Sequence, residues 1–239
     1  MPTVLITGAN RGLGLEFVRQ YLADSWHVIA GCRDPQSADT LSELAGDHSR
    51  LRIAEIDVTD RESINRAAVE LAGTPIDVLI NNAGIVGALD YVEEQKFGQL
   101  DYELLALFYR INVAGPLKVT EAFLDNLRLG EGKRMVAISS MAGSFQGSSK
   151  NRPGRIHYKT SKAALNMAVT GIADATRADG IIAVSLNPGG VKVEKLAGYD
   201  LPGFIEPAES IAGMIAVIEA LEPKDSGSFL DYRGEVMPW

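Results

Sequence analysis

The chain has 239 residues, 46% of them hydrophobic, with a formal net charge of −8 and a pI near 5.0. That length suits one large α/β domain over residues 1–239. The acidic balance excludes a general nucleic-acid binder, which needs excess positive field to release counterions from phosphates. A single cysteine, Cys32, excludes an internal disulfide and fits a reducing cytoplasm. Met1–Thr7 carries no secretory leader pattern, and no apolar run is long enough for a membrane span, so no membrane association is expected. His27, His48 and His157 are scattered without metal-ligand spacing, and no metal is assigned.

In chain order, strand-like runs alternate with helical patterns. Thr3–Thr7 is a run of β-branched and aliphatic residues, and from Leu13 to Ala23 the apolar Leu15, Val18 and Leu22 recur at helical spacing. Trp26–Gly31 reads as a second strand, about Ala38–Ala45 as a helix, and Leu51–Ile56 as a third strand. A helix follows with Ile64, Ala67, Ala68 and Leu71 on one face, then a buried strand at Ile76–Ile80. One long helical stretch, about Tyr102–Leu129, contains Asn112 and Pro116. Arg134–Ser139 is the fifth strand, Tyr158–Ala178 a helix and Ile181–Leu186 the sixth strand, followed by a helix near Ala208–Leu221 and a last strand around Phe229. Such alternation implies right-handed crossovers and a doubly wound parallel sheet, of the Rossmann type, with helices on both faces. No linker or charge block divides the chain.

Thr7–Gly14 lies where the first strand meets the first helix, and includes Gly8, Asn10, Arg11, Gly12, Leu13 and Gly14. Its spacing is G-x-x-x-G-x-G. Glycines allow a tight turn and close backbone approach, while the free amides of the helix attract a pyrophosphate. A glycine cluster alone is weak evidence; its place in the first βα unit of a repeating βα chain strengthens it. After the second strand, where an acidic residue usually holds the ribose 2′-hydroxyl of NAD, the sequence has Arg33. Together with Arg11, this suits the 2′-phosphate of NADP(H). Asp34 stands against that reading, and both arginines are also compatible with solvated surface charges.

Tyr158 and Lys162 are four residues apart, which puts them on one face of a helix. A neighbouring ammonium stabilises a phenolate, and so brings a tyrosine closer to acid–base work near neutral pH. The same spacing occurs by chance on many solvated helices. It gains meaning from Asn81–Gly84 after the fourth strand and Ser140 after the fifth, because the carboxyl ends of the strands line one crevice. Ser139 is an alternative to Ser140: adjacent strand residues face opposite ways, so only one of them points at Tyr158.

Thr7–Gly14, Asp57-Val58, Asn81–Gly84, Asn112, Ser140, Tyr158/Lys162 and Pro188-Gly189 occur in one order. In that combination the chain resembles the short-chain dehydrogenase/reductase superfamily over essentially its whole length. Ile111–Pro116 and the closing Asp231–Trp239 are similar to the branch of sniffer-type carbonyl reductases and C-factor-like proteins. The resemblance implies a catalytic tetrad of Asn112, Ser140, Tyr158 and Lys162. Tyr158 would be the proton donor or acceptor and Ser140 would polarise the substrate carbonyl. Lys162 would lower the Tyr158 pKa and hold the nicotinamide ribose, and Asn112 would anchor a water. It further implies cofactor contacts from Asp57, Val58, Asn82, Ala83, Gly84, Pro188, Gly189 and Val191.

Two features depart from the family. Ser140 and Tyr158 are 18 positions apart, a wide gap whose Ser144–His157 stretch is rich in Gly, Ser and basic residues. It is either a loop that shapes the substrate mouth or a solvated insertion. Val193 also stands where the family usually has a Thr that bonds the nicotinamide carboxamide. The expectation is an NADPH-dependent reductase of a small aldehyde or ketone, or its reverse. A cofactor-binding regulator with vestigial catalysis is the other reading. Pocket walls are expected from Ser140–Gln146, His157 and Gly190–Phe204, the last as a mobile lid, and a homodimer from the two long helices.

Overall fold

The structure is a computed structural model, and it describes residues 1–86, 95–147, 154–192 and 203–239. Seven strands form one sheet: β1 (Thr3–Thr7), β2 (His27–Cys32), β3 (Leu51–Glu55), β4 (Val78–Asn81), β5 (Arg134–Ile138), β6 (Ile182–Asn187) and β7 (Phe229–Asp231). Their spatial order is β3-β2-β1-β4-β5-β6-β7, and every neighbouring pair is parallel. The chain winds outward from β1 to β3, then restarts beside β1 with β4 and winds the other way. The order therefore reverses between β1 and β4, and a crevice opens there at the carboxyl ends of the strands.

Helices cover both faces, and the alternation of side chains along each strand decides which face receives which residue. Val4, Ile6, Val28, Ala30, Val78, Ile80, Val136 and Val184 pack under α1 (Gly12–Ala23), α2 (Asp39–Asp47) and α8 (Pro207–Ala220), with Phe17, Tyr21, Leu41 and Met214 among the helix contributions. On the other face Leu5, Ile29, Leu79, Met135 and Ala183 meet α3 (Arg61–Glu70), α5 (Gly115–Ala122), α6 (Leu124–Leu129) and α7 (Ile156–Thr176) through Ile64, Val119, Leu127, Leu165 and Val169. All six residues of β6 are buried, as expected of a strand covered on both sides.

Several helix starts follow from local chemistry. Asp60 accepts the Glu62 amide at 2.9 Å, and Asp101 accepts those of Glu103 and Leu104 at the start of α4 (Tyr102–Tyr109). Pro207 opens α8, where its missing N–H has no helical partner to lose.

The helix expected to run unbroken over 102–129 is not continuous. It is divided into α4, a five-residue π-helical turn at Arg110–Ala114, α5, and a further break at Phe123 before α6. Pro116 supplies the reason: it has no amide to donate to the carbonyl of Asn112, and its ring crowds that carbonyl, so the backbone widens there. Among the described residues, no helix is long and apolar enough to cross a membrane.

Candidate active site

The glycine turn is held to the end of β4 by a clamp of main-chain and side-chain bonds. The Asn82 side-chain amide donates to the carbonyls of Thr7 at 2.9 Å and Gly8 at 3.0 Å, while Thr7 Oγ1 accepts the amides of Asn82 and Ala83, both at 3.1 Å. A Cβ on Gly14 would lie 2.2 Å from the Gly8 carbonyl oxygen and 2.6 Å from Asn82 Nδ2, so the turn closes only around glycine. Gly12 differs. Its φ of +55° favours glycine, yet nothing stands within 4 Å of where its Cβ would be. The space before the first turn of α1 is thus open, and Arg11, at the N-cap, makes no side-chain cap bond. Free amides, a positive helix end and open space together fit a dinucleotide pyrophosphate.

Further along this edge, Asn10, Arg11 and Arg33 are exposed and Leu13 is half-buried. Asp34, the residue that opposed a phosphate-binding reading, is spent locally: its Oδ1 accepts the Gln36 amide at 3.1 Å and caps a short 3₁₀ turn. After β3, Asp57 Oδ1 accepts the amide and hydroxyl of Thr59 at 2.8 and 2.7 Å, which fixes the carboxylate at the strand end. Val58 is buried against Gly115.

Ser140, Tyr158, Lys162 and Asn112 come together between β4, β5 and α7. The choice between the adjacent serines follows from their surroundings. Ser139 is buried and donates to Asn166 Oδ1 of α7 at 2.6 Å, on the core side. Ser140 stands past the end of β5, caps the 3₁₀ turn Met141–Gly143, and faces the Tyr158 phenol, whose pKa it pulls down. Lys162 Nζ donates to the Ile138 carbonyl at 2.8 Å and lies 5.9 Å from the centre of the Tyr158 ring. Asn112, in the π-helical turn, accepts the Ile85 amide and donates to the Ile85 carbonyl, both at 2.9 Å, and reaches Ser161 Oγ at 3.0 Å. A Cβ on Gly84 would sit 3.2 Å from Asn112 Oδ1 and 3.7 Å from Lys162 Nζ, so this glycine lets the Asn81–Gly84 segment close on the pair.

The electrostatics differ from the simplest expectation. Burial pushes the Tyr158 phenol above its usual value, and the influences that pull it down are the Ser140 hydrogen bond and the charge of Arg155. Lys162, itself buried, is pushed down to about 8. The lysine is held on the Ile138 carbonyl, and Ser140 and Arg155, not Lys162, are what pull the phenol back down.

The fourth wall comes from β6 onward. Ser210 Oγ donates to the Pro188 carbonyl at 2.6 Å, and Gly189 (φ +82°) turns the chain against Tyr232. Val191 is buried and bridges to Ile205. Val193, Glu194, Lys195, Gly198, most of the expected lid, and Lys150 and Arg152 of the long loop lie outside the described residues.

Sequence reasoning overlooked three supporting residues. Thr7 is one of them, although its place at the mouth of the glycine turn is a readable signal. Asn187 accepts the Met141 amide at 3.1 Å and braces the turn after Ser140. Gln95 is buried and accepts the Tyr158 amide at 3.3 Å across a separation of 63 residues, which no local pattern could announce.

The chain is similar to known proteins over most of its length. The family described as short chain dehydrogenase matches residues 2–200. The C-signal of Myxococcus xanthus is 38% identical over 172 residues, covering 72% of this chain and 98% of that one. Among solved structures, an NADPH-bound carbonyl reductase from chicken fatty liver is 36% identical with a TM-score of 0.91, covering 100% of this chain and 99% of that chain. The carbonyl reductase Sniffer of D. melanogaster is 29% identical with a TM-score of 0.89, and each chain is covered in full at 100%.

Proposed function

The chain belongs to the short chain dehydrogenase family, and from that premise we propose that it is an NADP(H)-dependent carbonyl reductase. It would reduce a small aldehyde or ketone to an alcohol, or run the reverse, with residues 1–239 acting as one domain. The observation that carries the reading is the convergence of Ser140, Tyr158, Lys162 and Asn112 at the ends of β4 and β5, with Lys162 Nζ 5.9 Å from the Tyr158 ring and the open glycine turn across the strand ends.

Bound NADPH supplies a hydride to the substrate carbon. The cofactor is held by the amides of Gly12–Gly14, the backbone of Asn82–Gly84 and the Pro188–Val191 segment. Arg11 and Arg33 serve the 2′-phosphate, an assignment eased by Asp34 being occupied with its own turn. Ser140 donates a hydrogen bond to the substrate oxygen. Tyr158 gives that oxygen its proton: burial keeps the phenol protonated and available, and the transfer runs downhill because the developing alkoxide is a stronger base than a phenolate. Lys162 binds ribose hydroxyls. Asn112 holds the Ile85 backbone beside it and anchors a water that resupplies the proton.

A second reading, favoured by the likeness to the C-signal, is a protein that binds the dinucleotide without turnover. Purified chain incubated with NADPH or NADH and a panel of aldehydes and ketones separates the two. The enzyme reading predicts substrate-dependent oxidation, faster with NADPH. Tight NADPH binding with no oxidation across the panel would favour the second reading and reject the first.

A further inference from the structure

The catalytic helix begins without a conventional cap. Arg155, at the N-cap of α7, is in the left-handed region (φ 56°, ψ 36°) and makes no side-chain cap bond. The first bond within the helix is that of the Lys159 amide to the Arg155 carbonyl at 2.9 Å. The three preceding amides, of Ile156, His157 and Tyr158, therefore cannot be met by the helix itself. The third of them belongs to Tyr158, at the position an N-cap Ser, Thr or Asp ordinarily satisfies. That amide instead donates to Gln95 Oε1 at 3.3 Å, and Gln95 is only 1% exposed. A long polar side chain is rarely buried this far unless it meets polar groups there.

We infer that Gln95 is the positioning residue of the active site: from the segment ahead of α4, it caps the catalytic helix on the Tyr158 amide and so fixes where the phenol stands relative to Ser140. A cap by a neighbouring Ser or Asp would leave the helix start free to rock with its own loop. A cap supplied from a segment 63 residues away in sequence ties Tyr158 to a part of the fold outside its own helix. The effect on turnover rests on the proposed chemistry at Tyr158, whereas the cap itself does not.

The test therefore has two readouts: hydrogen exchange at the Tyr158 amide in the full-length chain, and steady-state kinetics. Gln95→Leu removes the acceptor, and Gln95→Asn keeps the amide but withdraws it by one methylene. Gln95→Glu preserves the acceptor oxygens. We expect Gln95→Leu and Gln95→Asn to speed exchange at Tyr158 about ten-fold or more, the effect of leaving one buried donor unmet, and Gln95→Glu to retain protection. The first two should lower kcat by a similar factor with NADPH affinity within about two-fold, and Gln95→Glu should restore kcat. Wild-type exchange at Tyr158 in both Gln95→Leu and Gln95→Asn would overturn the inference, as would an equal loss in all three variants. Altered exchange in a protein that turns over no carbonyl would uphold the cap and defeat the reductase reading instead.

Discussion

At the scale of single residues, the site places two titratable groups under opposed demands. Tyr158 is driven up by burial and restrained by Ser140 and Arg155, and Lys162 is driven down to about 8. For a lysine with an unfolded value near 10.4, this has a definite sign. Between about pH 8 and 10.4 the unfolded chain holds a proton on Lys162 that the folded chain releases, so folding stability gains with rising pH across that window. Cys32, Tyr158 and Tyr21 are all shifted up and work in the opposite sense at higher pH, so the lysine is isolated by difference. Denaturant unfolding of wild type and Lys162→Met without cofactor should show wild type gaining on the variant as pH rises from about 8 to 10. A difference independent of pH would mean that the ammonium is not buried as described. The sequence revealed that Tyr158 and Lys162 share a helix face. It did not reveal that the Ile138 carbonyl tethers the lysine, because that carbonyl is brought by a strand 24 residues away.

At the scale of elements, the glycine turn and the broken helix were legible to different degrees. The turn announced itself by its glycines, yet sequence alone treats Gly12 and Gly14 alike. The structure separates them: Gly14 is crowded by the Gly8 carbonyl and Asn82, and Gly12 faces open space with a positive φ. Gly14→Ala should therefore unfold the turn and lower stability by several kcal/mol, on the order of other severe backbone clashes. Gly12→Ala should cost only about 1–2 kcal/mol, the penalty of a left-handed alanine, while weakening NADPH binding more strongly. Thermal unfolding and NADPH titration of the two variants check this, and equal destabilisation would contradict the packing described. The break at Asn112 could have been read from Pro116, whose effect on the carbonyl four residues before it is general. The periodicity of apolar residues continued through the proline and hid the break. Strand alternation alone left Ser139 and Ser140 open and only the family resemblance favoured Ser140; the structure turns Ser139 onto Asn166 instead.

At the scale of the whole molecule, one topological event explains why distant residues cooperate. The reversal of strand order between β1 and β4 opens the crevice, and the ends of β1, β4, β5 and β6 deliver to it the glycine turn, the Asn82 clamp, Ser140 and the Pro188 segment. The alternation of strands and helices made this architecture readable from sequence, since each parallel strand must be followed by a crossover. Its cross-ties were not readable: Gln95 to Tyr158 and Asn187 to Met141 join residues 63 and 46 positions apart. In the proposed reaction this assembly hands one proton from Tyr158 to a carbonyl beside bound NADPH. The most direct test of that step compares wild type with Tyr158→Phe on a carbonyl that the wild type reduces, with NADPH affinity measured on both. Turnover should fall by about 100- to 10,000-fold, the usual range for a lost general acid, with NADPH affinity nearly unchanged. A Phe variant that turns over at the wild-type rate would contradict the account.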